Sequence, residues 1–201
     1  MNDSHIKTKT LTGVALFTAI VVVLQLLGSF IRFGPFSISL VLIPIVVGAA
    51  MYGATAGAWL GFVFGVAVLL SGDAAVFMPI NPIGTVVTVL AKGTLAGFCA
   101  GLVYRALEKK SRYVAVVAAA IVCPVVNTGA FLLGCLFFFL ETVSGWGRSM
   151  GFENVGTYMI VGLVGLNFLV EMTINIILSP VVLRLIRIGK HESAETEADA
   201  V

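Results

Sequence analysis

The residues most able to do chemistry in this chain are ionisable and amide side chains set inside apolar sequence. Lys92 lies within the apolar stretch 83–105, nine residues from its start. At about 1.5 Å per residue that is roughly 14 Å in, near the middle of a hydrocarbon core about 30 Å thick. A lysine at such depth costs roughly 2.5–3.5 kcal/mol, so its ammonium must face protein, water or a ligand. Thr85 and Thr88 share its helical face. Asn127 is equally central in the next apolar stretch, and Asn167, Glu171 and Asn175 recur at offsets of four in the last one. Side chains four apart on a helix lie on one face, so these three form a polar stripe.

Facing lipid, each of these groups is a penalty with no return; facing one another, they make a polar pocket. Two readings stand. Lys92 and Glu171 form a structural ion pair that locks two helices together. Alternatively they line a solute site, where Lys92 meets an anionic or strongly accepting group and Glu171 and the asparagines take hydroxyl and amide groups. Asn127, Asn167 and Asn175 exceed what one ion pair needs, which favours the solute site. Thr88, Asn81 just ahead of the fourth stretch, and Trp146 in a later loop complete the candidate set. Trp146 reads as an interfacial anchor or part of a lid.

The elements that must position these groups are membrane helices. Of 201 residues, 59% are hydrophobic and 11% charged, and the mean hydropathy is +1.09. Long uncharged apolar runs of this kind are transmembrane by default. The sequence predicts an all-α, polytopic membrane protein, a compact bundle of six transmembrane helices at residues 11–31, 37–51, 56–70, 83–107, 113–140 and 157–188. Residues 1–10 read as a cytoplasmic N-terminal segment, 11–188 as the membrane domain, and 189–201 as a disordered acidic cytoplasmic tail. Pro44 predicts a kink in the second helix. Residues 141–156 read as a loop.

Basic residues set the orientation. Lys7, Lys9, Arg105, Lys109, Lys110, Arg112, Arg184, Arg187 and Lys190 fall on one side of a six-span arrangement, and Arg32 and Arg148 on the other. The positive-inside bias makes both termini cytoplasmic. Lys7 and Lys9 ahead of an apolar run suggest a signal peptide, but no small-x-small cleavage site follows, so the run is read as a retained first helix. Glycines spaced by four at 53, 57, 61 and 65, and again at 93, 97 and 101, predict helix faces that neighbours approach closely.

Several classes are excluded. A net charge of +2 points to no nucleic acid. No GxxxxGK[ST] phosphate loop is present, so the chain does not itself hydrolyse ATP. His5 and His191 lie near the ends, so no metal cluster and no Ser-His-Asp set can be built in the membrane; the chain is not read as an enzyme, and no cofactor or metal is implied. Cys99, Cys123 and Cys135 form no CxxC pair and read as buried thiols.

The chain resembles the substrate-binding S component of an energy-coupling factor (ECF) vitamin transporter over residues 11–188. The likeness rests on the six helices together with Ala15-Leu16-Phe17-Thr18-Ala19, Ile43-Pro44-Ile45-Val46-Val47-Gly48, Tyr52-Gly53-Ala54-Thr55-Ala56-Gly57-Ala58, Lys92-Gly93 with Ala96-Gly97, and Pro124 with Asn127-Thr128-Gly129. The resemblance implies a binding subunit in the cell membrane. It takes a small vitamin from outside in a pocket of predicted helices 4–6, capped by loops 1–2, 3–4 and 5–6. It then topples to deliver the vitamin inward with a membrane-embedded coupling (T) subunit and two cytoplasmic ATPase subunits. Ala15 and Ala19 correspond to the AxxxA pattern that docks on the coupling subunit. One ammonium among several amides suits a mono-carboxylate bearing hydroxyls and an amide, and pantothenate fits that description; residues 124–134 also resemble pantothenate-type members. Riboflavin would use aromatic stacking from Phe36, Phe77 and Trp146, and folate would need more positive charge than Lys92, Arg32 and Arg148 give. A structural or assembly membrane protein, or a stand-alone carrier, is the reading left if the polar groups only pair with one another.

Overall fold

The computed structural model describes residues 2–29, 32–33, 36–37 and 40–198. The chain is a bundle of apolar helices. Among the described residues, five are long and apolar enough to cross a membrane, and a sixth, shorter apolar helix lies among them. In chain order these are α1 (Asn2–Gly28), α2 (Leu42–Tyr52), α3 (Ala54–Ser71), α4 (Pro82–Leu107) and α5 (Arg112–Phe138). There follow α6 (Leu140–Ser149), α7 (Val155–Thr157), a π-helical turn (Tyr158–Leu163) and α8 (Gly165–Ala198). Between α1 and α2, Arg32–Phe33 pairs antiparallel with Phe36–Ser37.

The two glycine ladders meet each other. A Cβ on Gly57 would collide with the carbonyl of Gly97, and one on Gly61 with that of Gly93; the reverse substitutions collide with the carbonyls of Gly57 and Gly61. Gly101 lies against the backbone of Ala54. The register is antiparallel, so the four-residue periods of α3 and α4 stay matched along the contact. In a bilayer, where lipid is as apolar as leucine, such close backbone approach is a main source of helix association. Gly53 lies outside the contact. It serves the turn between α2 and α3, where its φ of 95° favours a residue without a Cβ.

Pro44 makes no kink. Helix α2 begins at Leu42, so the proline falls in its first turn, where a missing N–H breaks no intrahelical bond. Three further features differ from expectation. The loop predicted at 141–156 contains α6, which buries Val143 and Gly147 on one side. The sixth span is broken into α7, the π turn and α8. Helix α8 also continues through residues 189–198, which composition assigned to a disordered tail; residues 199–201 lie outside the described residues.

Two clusters form the interior. One runs from Val21 of α1 through α2, α3 and α4 to Val182 and Ile186 of α8. The other gathers Phe77, Phe131, Cys135, Phe139, Val143, Tyr158, Met159, Leu163 and Val164, with Trp146 and Phe152 packed against it. Helix α1 is the most peripheral span, with 11% of its apolar window buried against 28–50% for the others. It is tied to the bundle by Trp59 Nε1 donating to Thr18 Oγ1 at 3.1 Å and by Phe17 packed edge-on against Tyr52.

Candidate functional site

The matched glycines bring α3 and α4 together at the level of Lys92. A Cβ on Gly93 would lie 3.2 Å from the ring of Phe64, so Phe64 of α3 is held beside the residue that follows the lysine. The ammonium of Lys92 lies 5.7 Å from the Phe64 ring centroid and 5.5 Å from that of Phe131 on α5. Two π faces at this distance stabilise a cation by about 0.5–2 kcal/mol each, most when water is excluded. The cost of placing an ammonium at this depth is thus partly offset inside the protein.

Lys92 opens on a cavity of about 70 Å³. From α4 and α5 it is lined by Val89, Lys92, Asn127 and Phe131, and from α8 by Asn167 and Glu171. Phe64 and Val68 of α3, Gln25 of α1, and Asp73, Ala74 and Phe77 from the segment between α3 and α4 close it. Asn127 is 6% exposed, and its Oδ1 has no hydrogen-bond partner among the described residues. The same holds for Asn167 Oδ1, while Asn167 Nδ2 donates to Glu171 Oε1 at 3.2 Å. A buried acceptor left without a donor costs about 1–3 kcal/mol. Two such oxygens therefore favour a donor-bearing occupant.

Four of the eight residues predicted for the site thus share one cavity: Lys92, Asn127, Asn167 and Glu171. The other four are not among the lining residues. Asn175 lies on the same stripe, but its Nδ2 donates to the Glu171 backbone carbonyl at 2.8 Å, and it does not reach the cavity. Asn81 caps α4, its Oδ1 accepting from the Gly84 N–H at 2.9 Å. Thr88 is buried against Gly134, where an added Cβ would collide with the threonine side chain, so it serves the α4–α5 contact. Trp146 stands on α6 with its ring 5.7 Å from that of Phe77. It touches Phe77, which lines the cavity, and is not itself a lining residue. Phe77 also packs against Phe131 and Phe139, at 5.7 and 5.0 Å between centroids.

The sequence reading missed Gln25 and Asp73. The Gln25 Nε2 donates to Asp73 Oδ2 at 2.6 Å and reaches Ser71 Oγ at 3.4 Å. The signal was present: an amide inside the apolar run 11–27 is as anomalous as Asn127 in its own. The cavity is lined from α1 and α3 as well as from α4, α5 and α8. Phe36 and Arg32, named above for other substrates, have side chains outside the described residues.

The sequence matches the family described as ECF transporter, substrate-specific component, over residues 9–183. The chain belongs to that family. This S component is therefore a substrate-binding transporter subunit, not an enzyme, and a multi-pass membrane protein. S components associate with T and ATPase subunits and bind small vitamin substrates in the membrane. Its fold is similar to that of a solved structure of ThiT from Listeria monocytogenes. The TM-score is 0.63 at 23% identity, with 90% of this chain and 98% of that chain covered. No curated protein sequence matches the S component described here.

Proposed function

We propose that this S component captures a small vitamin at the Lys92 cavity from outside the cell, and delivers it across the cell membrane with a T subunit and two ATPase subunits. The observation that carries the reading is the convergence of one ammonium and two unpartnered amide oxygens on a single buried cavity. An internal ion pair would need neither asparagine. A ligand with one acidic group and several donors satisfies the whole set: its carboxylate meets Lys92, and its hydroxyl and amide hydrogens meet Asn127, Asn167 and Glu171. Pantothenate has this pattern and is the proposed substrate. Folate is disfavoured, because Lys92 is the sole Lys or Arg among the lining residues.

The cavity is smaller than the pockets of about 300–1,000 Å³ that hold small molecules. Binding therefore requires the wall to move, and Phe77, carried on the segment between α3 and α4, is the part of it that meets Trp146 of α6. Docking on the T subunit is assigned to Ala15 and Ala19. Both are exposed on the most peripheral span. A second reading is favoured by the three rings on the cavity wall, Phe64, Phe77 and Phe131: a flat aromatic vitamin such as riboflavin stacked among them.

Mass spectrometry of the small molecule that co-purifies with the chain separates the two. Replacing Lys92 or Asn127 with Ala is expected to abolish binding while the protein stays folded. If both variants bind as the wild type does, the assigned site is wrong.

A further inference from the structure

We propose that Gln25 and Asp73 form a second polar pole of the substrate cavity. Gln25 orients the Asp73 carboxylate to accept a hydroxyl or amide hydrogen from the substrate, while Lys92 takes the substrate's acidic end. The inference rests on the reading of the cavity as the substrate site, and it adds to that site a residue from α1.

Three observations carry it. Gln25 is 2% exposed on a helix that is otherwise largely peripheral, so this one position of the helix turns its polar group fully inward. A buried amide in an apolar span is tolerated where it is hydrogen-bonded, and Gln25 spends its N–H₂ on a carboxylate 48 residues away in sequence. A tether alone would not need that carboxylate. Ser71 lies within reach of the same nitrogen and could tie α1 to the end of α3 without the desolvation cost of a charge. Both members of the pair also line the cavity that holds Lys92.

Local structure explains how Asp73 arrives there. Gly72 ends α3 in the left-handed region at φ 79°, which reverses the chain and turns the next residue back toward the bundle. Ala74 and Phe77, both 5% exposed, then anchor the segment from below. The carboxylate is held between a helix terminus and an aromatic cap, and the short bond from Gln25 fixes its orientation. Charge-assisted bonds of this kind are about twice as strong as neutral ones. Asp73 is thus the group that touches substrate, and Gln25 is a positioning residue.

The test is a ligand-by-variant cycle on the purified full-length chain. Pantothenate and two analogues, each with one hydroxyl replaced by hydrogen, are titrated against the wild type, Asp73→Ala, Asp73→Asn and Gln25→Ala. The wild type is expected to bind at least one analogue about tenfold or more weaker than pantothenate, as loss of a hydrogen bond to a charged group implies. Asp73→Ala and Gln25→Ala should bind pantothenate and that analogue alike, and Asp73→Asn, which keeps an acceptor oxygen, should restore part of the difference. A merely structural pair would weaken all ligands equally; discrimination unchanged in both alanine variants overturns the proposal. If the wild type binds no pantothenate, the substrate assignment fails by itself. The pair is then judged by mass spectrometry of the molecule co-purifying with wild type, Asp73→Asn and Asp73→Ala: loss from the alanine variant with retention by the asparagine variant supports it, and the same result from both variants overturns it.

Discussion

Replacing Gly61 with alanine tests whether the α3–α4 contact builds the site. The added Cβ would collide with the carbonyl of Gly93, and the next atoms it meets are the Gly93 carbonyl carbon and the Thr94 nitrogen. All are backbone, so no side chain can swing aside and the helices must separate. Overpacking of a tight contact costs about 1–3 kcal/mol, and with backbone on both sides the upper part of that range applies. Helix propensity offsets little of it, because spans in a bilayer are already helical before they associate. Gly129→Ala is the control: its Cβ meets nothing within 4 Å. Thermal unfolding in detergent should show Gly61→Ala destabilised by about 2–3 kcal/mol and Gly129→Ala unchanged. Substrate binding should fall with the first alone, since separating the helices draws Phe64 away from Lys92. Equal unfolding of both variants would refute the claim that this contact sets the geometry.

Other outcomes follow from the same geometry. Asn81→Ala should lose about 1 kcal/mol of stability, the usual worth of a helix cap, while binding measured below its unfolding transition changes less than it does for Asn127→Ala. Ala15→Trp with Ala19→Trp should leave substrate binding intact and stop uptake by the assembled transporter; loss of binding would instead place those residues inside the fold. Liposomes holding this chain alone should accumulate no solute, and accumulation would favour a stand-alone carrier. Asn175→Ala should unfold earlier, its Nδ2 bond to the Glu171 carbonyl being lost, yet keep its ligand specificity in a competition assay.

The period-four glycines of two segments were legible, because small residues at that spacing have one strong use in a membrane helix. That the two ladders face each other was not, since nothing local names a helix's neighbour. Lys92, Asn127, Asn167 and Glu171 could be found from the cost of burying them. Asn175 could not be separated from its stripe, because an amide that bonds its own helix four residues back is as well paid as one facing a cavity. Gln25 was overlooked though its signal was equal to theirs, hidden in a run first weighed as a targeting segment. Helix α6 escaped because its spacing of Leu140, Val143 and Gly147 is short and sits among charges. Pro44 was misjudged for want of a boundary: a proline kinks or starts a helix according to where the helix begins.

The π turn at Tyr158–Leu163 alters how the last span should be engineered. A π turn takes up one residue more than an α turn, and one residue corresponds to about 100° of rotation. A helical wheel drawn straight through this span therefore misassigns everything on one side of Val164. Deleting a single residue there would remove the extra residue and close the coil into regular α geometry with its two ends keeping their relative facing, whereas the same deletion within α8 would rotate everything on one side of it by about 100°.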